Sequence, residues 1–308
     1  MDIVTHGITG VLVSRALPNG HKGSTIAAGL IGALAPDLDA IARLWDPMAT
    51  ITVHRTVTHS FLGGAVIALA VAALVWGFRR NSFFLLFSFA FLGLLSHIGL
   101  DLLTSFGTAV FWPLSDRRFA LAQNYLIDPI FTILALASLA ASFRLRHSRV
   151  SLAGTGLLAI GLYVVITAAA QQAAFSRWQK FMELQGTLPT RSAVLPIFPG
   201  PFRWLGISET QKGFYQQPFW IYGSNAGTRR FFPRNNADLR NLERQREVRV
   251  FLSFARFPWK QESYDGDRRV VQYQDLAFID HPLGGPMVLR IWLDESGTVR
   301  RMEFGHRF

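Results

Sequence analysis

The sequence predicts an α-helical membrane core of about four transmembrane helices, preceded by short N-terminal helices and followed by a soluble C-terminal α+β domain. Three observations carry that prediction. Half of the 308 residues are hydrophobic and only 17% are charged, a composition typical of a chain that lies partly in lipid. Apolar runs of membrane-spanning length cluster before Phe175. Beyond that point the charge rises: residues 1–175 hold 11 Lys/Arg against 7 Asp/Glu, whereas residues 176–308 hold 20 against 13. Disordered and collagen-like chains are excluded by this composition, as is an ordinary small soluble enzyme. The sequence contains no cysteine, which excludes disulfide scaffolds, Cys-ligated zinc, iron–sulfur clusters and thiol catalysis.

Taken in order, Ile3–Leu17 and Thr25–Leu34 are apolar, short and rich in Gly and Ala, which predicts packed, re-entrant or interfacial helices. No basic region with a small-residue cleavage site opens the chain, so no removable signal peptide is expected. Phe61–Phe78 and Phe83–Leu103 form a transmembrane hairpin about Arg79-Arg80-Asn81-Ser82, and Ile127–Phe143 with Leu152–Phe175 form a second about residues 144–149. Five arginines in these two loops place them in the cytoplasm and the opposite side outside. The boundary is set at residue 185, giving a helical domain 1–185 and a soluble domain 186–308 that opens on a Pro/Gly-rich linker. Within the latter, Phe219–Tyr222 reads as a strand and Asp238–Phe254 as a helix. Val270–Ile279, Met287–Leu293 and Thr298–Phe304 read as a β meander. Its positive charge favours anionic membrane lipid as a partner and disfavours nucleic acid.

Ionisable residues inside apolar segments are costly and point to function. Between residues 61 and 143 the only histidine is His97, four residues before Asp101 on one predicted helix face. At 1.5 Å per residue Asp101 lies about 30 Å from Arg80, near the face opposite the basic loop. His59 precedes the other helix of that hairpin, so topology brings His59, His97 and Asp101 to one layer. His54 lies five residues before His59 in His54-Arg55-Thr56-Val57-Thr58-His59-Ser60, with Thr58 or Ser60 as helix cap. Ala35-Pro36-Asp37-Leu38-Asp39 supplies two carboxylates after a proline that favours an extended exit from the helix. In a strand they point apart, whereas in a turn they converge. His6 adds an imidazole among apolar neighbours.

The candidate metal ligands are therefore His6, Asp37, Asp39, His54, His59, His97 and Asp101. Without cysteine, such an N/O set suits one to three divalent ions, zinc first and manganese or iron next. Asp39 is the candidate catalytic base and Arg55 the candidate clamp for an anion; which of Asp37 and Asp39 is ligand and which is base stays open. Asp128-Pro129 reads as a helix start, and His21, His147, His281 and His306 as surface residues. The sequence has no Walker motif, GxGxxG or GxSxG.

The series THG (5–7), PDLD (36–39), HRTVTHS (54–60) and SHIGLDLLTSFGT (96–108) resembles the YdjM-like family of inner-membrane metal-dependent hydrolases. Stretches around Pro199–Trp204, Arg256–Trp259 and Gln274–Phe278 resemble the tail of its longer members. The resemblance implies an all-helical, metal-binding core in the inner membrane. That core is distantly similar to zinc-dependent phospholipase C and the S1/P1 nucleases, whose first ligands His6, Asp37, His59, His97 and Asp101 match by position. No later HxxxH or HxxxE completes their cluster. The expected function is hydrolysis of a phosphoester or lipid-like substrate such as a phospholipid, with the site and the tail domain on the outer side. The alternative is a non-enzymatic membrane protein with a structural metal site and a partner-binding tail.

Overall fold

The computed structural model describes residues 1–144, 149–223, 227, 229–235, 239–278 and 287–305. Leu145, Arg146, His147 and Ser148 of the second basic loop lie outside the described residues, as do Asp238, Ile279, His281 and His306. The chain divides into two compact units. One comprises Met1–Ile41, Val53–Gln172 and Phe198–Arg203, and the other Ala42–Thr52, Ala173–Ile197 and Trp204–Phe308.

The helices in chain order are α1 (Ile3–Arg15), α2 (Gly23–Leu34), a 3₁₀ helix (Ala35–Leu44), the single turn α3 (Ala49–Thr52), α4 (Phe61–Arg79), α5 (Phe83–Leu102), α6 (Pro129–Arg144) and α7 (Arg149–Leu184). Four helical segments among the described residues are long and apolar enough to cross a membrane: Gly23–Leu44, Phe61–Arg79, Phe83–Leu102 and Leu152–Leu184. The count agrees with the sequence, but one member changes. The expected span Ile127–Phe143 is the apolar helix α6 of 16 residues, opened by Pro129 behind Asp128, which caps it through the N–H groups of Ile130 and Phe131. The segment expected to be a short helix at Thr25–Leu34 instead runs on into the 3₁₀ turns and reaches 22 residues. Pro36 does not force an extended exit. Ala35 stays right-handed helical, and the chain tightens into 3₁₀ turns after α2.

Glycines set how closely α2 and α5 approach. Gly29 meets Gly93, and Gly32 meets the backbone of Ala90; a Cβ at Gly93 or Gly32 would overlap the facing carbonyl. This is small-residue packing of membrane helices. It puts the end of α2 against the last turns of α5. A Gly93→Val variant is expected to push the two helices apart and cost about 1–3 kcal/mol or more, read as a lowered melting temperature in detergent. Gly77→Ala, whose Cβ meets open space, should leave that temperature unchanged. On the other flank, Leu12, Leu100, Leu103, Phe131, Ala135, Ala153 and Ile160 close a core among α1, α5, α6 and α7.

The second unit contains two four-stranded antiparallel meanders. The first is β1 (Arg191–Pro196), β2 (Arg203–Glu209), β3 (Gly213–Trp220) and β4 (Arg230–Pro233); the second is β5 (Pro258–Asp265), β6 (Arg268–Asp275), β7 (Val288–Leu293) and β8 (Val299–Gly305). The tail is thus an α+β domain, as expected, with more strand than the sequence indicated: β1, β2, β4 and β5 were not foreseen. The expected helix Asp238–Phe254 is broken into α8 (Arg240–Glu243) and α9 (Arg246–Phe254). Leu242, Val248 and Phe251 pack with Val271, Tyr273, Leu289 and Ile291 of the second sheet. The last turns of α7 belong to this unit. Trp178 lies over Gly206, where no Cβ would fit, and donates its indole N–H to Ser208 Oγ at 2.9 Å.

Candidate metal centre

Three local devices deliver the polar residues to one place. The 3₁₀ helix has about three residues per turn, so positions two apart lie roughly 120° from one another, against nearly opposite directions in a strand. Asp37 and Asp39 therefore both face His59, one at each ring nitrogen: Asp37 Oδ1 is 3.5 Å from Nε2 and Asp39 Oδ2 is 3.3 Å from Nδ1. Ser60, not Thr58, caps α4, accepting from the N–H of Gly63. Thr58 is thereby left to donate its hydroxyl to Asp39. On α5 the i, i+4 spacing aligns His97 and Asp101, with Nε2 and Oδ2 3.5 Å apart.

Four ligand-type atoms converge: Asp37 Oδ1, His59 Nε2, His97 Nε2 and Asp101 Oδ2 form a group able to hold a metal ion. The His59 and His97 Nε2 atoms are 3.0 Å apart. His59 Nε2 lies 3.4 Å from Asp101 Oδ2, and His97 Nε2 lies 3.6 Å from Asp37 Oδ1. A tetrahedral ion with bonds of about 2.0–2.1 Å requires ligand atoms about 3.3 Å apart.

The hydrogen bonds around the group test the fit. His97 Nδ1 is 2.7 Å from the carbonyl oxygen of Ala33; a carbonyl only accepts, so the proton sits on Nδ1 and Nε2 carries a lone pair. His59 Nδ1 faces Thr58 Oγ1 at 2.9 Å, with Asp39 behind it, which gives the same tautomer. Asp101 Oδ1 accepts from Arg55 Nη2 at 2.7 Å and from the Met1 amino group, while Oδ2 is buried without a hydrogen-bond partner. Two imidazole lone pairs and two carboxylate oxygens thus face one another out of water, an arrangement that repels itself unless a cation lies between them. Burial opposes a charged His59 ring, yet its hydrogen bonds to Asp37 and Asp39 raise its pKa above the ordinary value.

Each residue singled out in the sequence has a definite place. Asp37, His59, His97 and Asp101 make up the four-atom group. Asp39 and His54 form a second group with His59, joined by a 2.7 Å contact from His54 Nδ1 to Asp39 Oδ1. His6 stacks on His97 with ring centroids 3.7 Å apart, and its Nε2 is 3.3 Å from Asp101 Oδ1. Both of its ring nitrogens are buried without hydrogen bonds, and burial pushes its pKa down to about 3. Arg55 is buried and holds a left-handed backbone at φ 59°. Its Nη1 and Nη2 are committed to Thr104 Oγ1 and Asp101, both at 2.7 Å, which leaves Nε without a hydrogen-bond partner among the described residues. Arg118, not singled out beforehand, donates to the His54 carbonyl; burial, with Arg55 close by, pushes its pKa down to about 10.

The supports of the ligands were the part that sequence reading missed. Ala33 contributes only a backbone carbonyl, which no side-chain pattern signals, and Thr104 gave no cue beyond its place in the stretch after Asp101. Asp128 is structural, as read: besides capping α6 it accepts from Asn124 Nδ2 at 2.9 Å and from the Tyr163 hydroxyl.

Comparison with known proteins extends this picture over the helical half of the chain. The uncharacterized protein YfhP of Bacillus subtilis (strain 168) is 26% identical over 174 residues, which cover 54% of this chain and 53% of that one. The chain thus spans about half the length of this curated relative. No solved structure matches. The family model described as YdjM inner membrane protein matches residues 1–174, every one of the candidate ligands included and the tail motifs left out. A membrane core whose histidines and aspartates converge on one cation-sized gap, together with this match over more than half its length, makes the chain a member of the YdjM inner membrane protein family.

Proposed function

We propose that this membrane protein is a metal-dependent hydrolase that cleaves a phosphoester or lipid-like substrate. The observation that carries the proposal is the group of four ligand atoms within 4.8 Å of one another, with both histidine tautomers set by acceptors behind them. Asp37, His59, His97 and Asp101 would hold the ion, and two imidazoles with two carboxylates suit zinc best. His6 lies beside the Asp101 oxygen that Arg55 and the Met1 amino group already hold, so it stays outside the four-atom group. A bound divalent cation supplies a Lewis acid that activates water and offsets negative charge on a phosphoryl oxygen.

The chain's own residues have distinct roles in this reading. Asp39 is occupied by His54, Thr58 and His59, so it orients His59 rather than acting as the base. Arg55 holds Asp101 through one edge of its guanidinium and keeps the Nε–H for an anion. Asp37 is 22% exposed, whereas the other three ligands are fully buried or nearly so. Catalysis at a tetrahedral ion needs one position open to water, and the partly exposed Asp37 is the ligand that would yield it. Arg79 and Arg80 at the far end of α4 support an outer-side location for the site, by the positive-inside rule.

The test is hydrolysis of bis(p-nitrophenyl) phosphate and of phosphatidylglycerol by detergent-purified protein, before and after chelation and zinc return. Activity should vanish on chelation and in His97→Ala, and return with zinc only in the wild type. Activity that survives either treatment overturns the proposal. In the same preparations Asp39→Ala is expected to lower zinc affinity about 10- to 100-fold, as loss of an outer-shell partner does, measured by competition with a fluorescent chelator.

A further inference from the structure

Asp37, the exposed ligand, has an apolar neighbour on each turn of the 3₁₀ helix. Three residues per turn stack Leu38 and Ile41 in one row, beside the row that carries Asp37. Leu38 is 73% exposed and Ile41 58% exposed. They belong to the last part of an apolar helix of membrane-spanning length, Gly23–Leu44. Val57, next to Thr58 in the histidine loop, is exposed as well. The approach to the ligand atoms therefore runs past one carboxylate whose surroundings are aliphatic, on a segment suited to bilayer contact.

From this juxtaposition we infer that the site takes its substrate sideways from the bilayer, as a phospholipid. The phosphate headgroup is seated at the Asp37 opening, and an acyl chain lies along Leu38 and Ile41. The inference rests on the metal-site reading above and narrows its substrate class to an amphiphile. A water-soluble phosphoester would gain nothing from the aliphatic row, whereas a lipid matches both halves of the surface: an anion for the cation beside Asp37, hydrocarbon for the leucine and isoleucine.

The full-length protein, zinc-loaded and reconstituted in vesicles of equal parts phosphatidylethanolamine and phosphatidylglycerol, provides the test. A photoreactive benzoylphenylalanine is placed at Leu38, lipid adducts are measured by mass spectrometry, and bound zinc is measured in the same sample. Adducts are expected in the zinc-loaded protein and should fall about tenfold when the headgroup contact is removed by His97→Ala. Chelation of the zinc serves the same purpose where that variant does not fold. Equal adduct yields with and without zinc mean that lipid merely bathes the helix, and overturn the inference while the metal site stands. Absence of any lipid adduct overturns it too. Wild-type protein that binds no zinc overturns the metal-site reading and this inference with it.

Discussion

Replacing His97 by alanine is expected to weaken binding of a divalent ion by the purified protein enough for a weak chelator to remove it. The imidazole supplies one of four converging ligand atoms, and its Nδ1 bond to the Ala33 carbonyl orients the ring before any ion arrives. If a site of this type is worth about 10–16 kcal/mol spread over four ligands, removing one costs roughly 3 kcal/mol, or about two orders of magnitude in affinity. Elemental analysis of wild type and variant after dialysis against a weak chelator reads this directly. His59→Ala should act at least as strongly, because that ring also anchors Asp39 through its other nitrogen. Equal zinc in wild type and both variants would remove the basis for a metal site.

Asp101→Ala is expected to be the most destabilising substitution in the helical core, by about 3–5 kcal/mol. Asp101 accepts from the buried Arg55 guanidinium, and Arg55 lies in a left-handed conformation that its neighbours must maintain. Removing the carboxylate leaves a desolvated cation without its counter-ion. Asp101→Asn should cost less, since the amide oxygen still accepts from Nη2. Measuring thermal unfolding in chelator-treated protein separates this effect from loss of the ion. An Asp101→Ala protein that melts with the wild type would show that Arg55 finds its stability elsewhere.

The two experiments separate the layers of the site. Loss of His97 would weaken ion binding with little charge left behind, whereas loss of Asp101 would affect both the ion and the buried arginine. A variant that loses zinc yet keeps its melting temperature identifies a ligand. One that loses both identifies a residue that also holds the loop between α3 and α4 against α5.

Much of this was legible in the residues. The hairpin Phe61–Leu103 could be read because length and hydropathy alone decide whether a helix crosses lipid. The convergence of His59 with His97 and Asp101 followed from it, since a hairpin returns its ends to one level. The start of α6 and the lengthening of α2 were hidden because both turn on single residues. Asp128 and Pro129 start one helix late, and Pro36 tightens the other instead of ending it. In the tail, β1 and β2 pair across a proline-rich connection that reads as a linker, and their strands are set by long-range partners rather than local pattern.

By itself, the sequence determined the membrane class, the hairpin and the identity of the polar residues, because those depend on transfer of side chains from water to lipid and on helical spacing. Only the tertiary structure decided how they divide the work. Whether Asp37 and Asp39 point apart or together depends on 3₁₀ turns in place of a strand, and which of them meets Nε2 of His59 depends on where α2 stops against α5. That position is set by backbone contact at Gly29, Gly32 and Gly93, a fit between two surfaces distant in sequence. Local spacing holds no information about it.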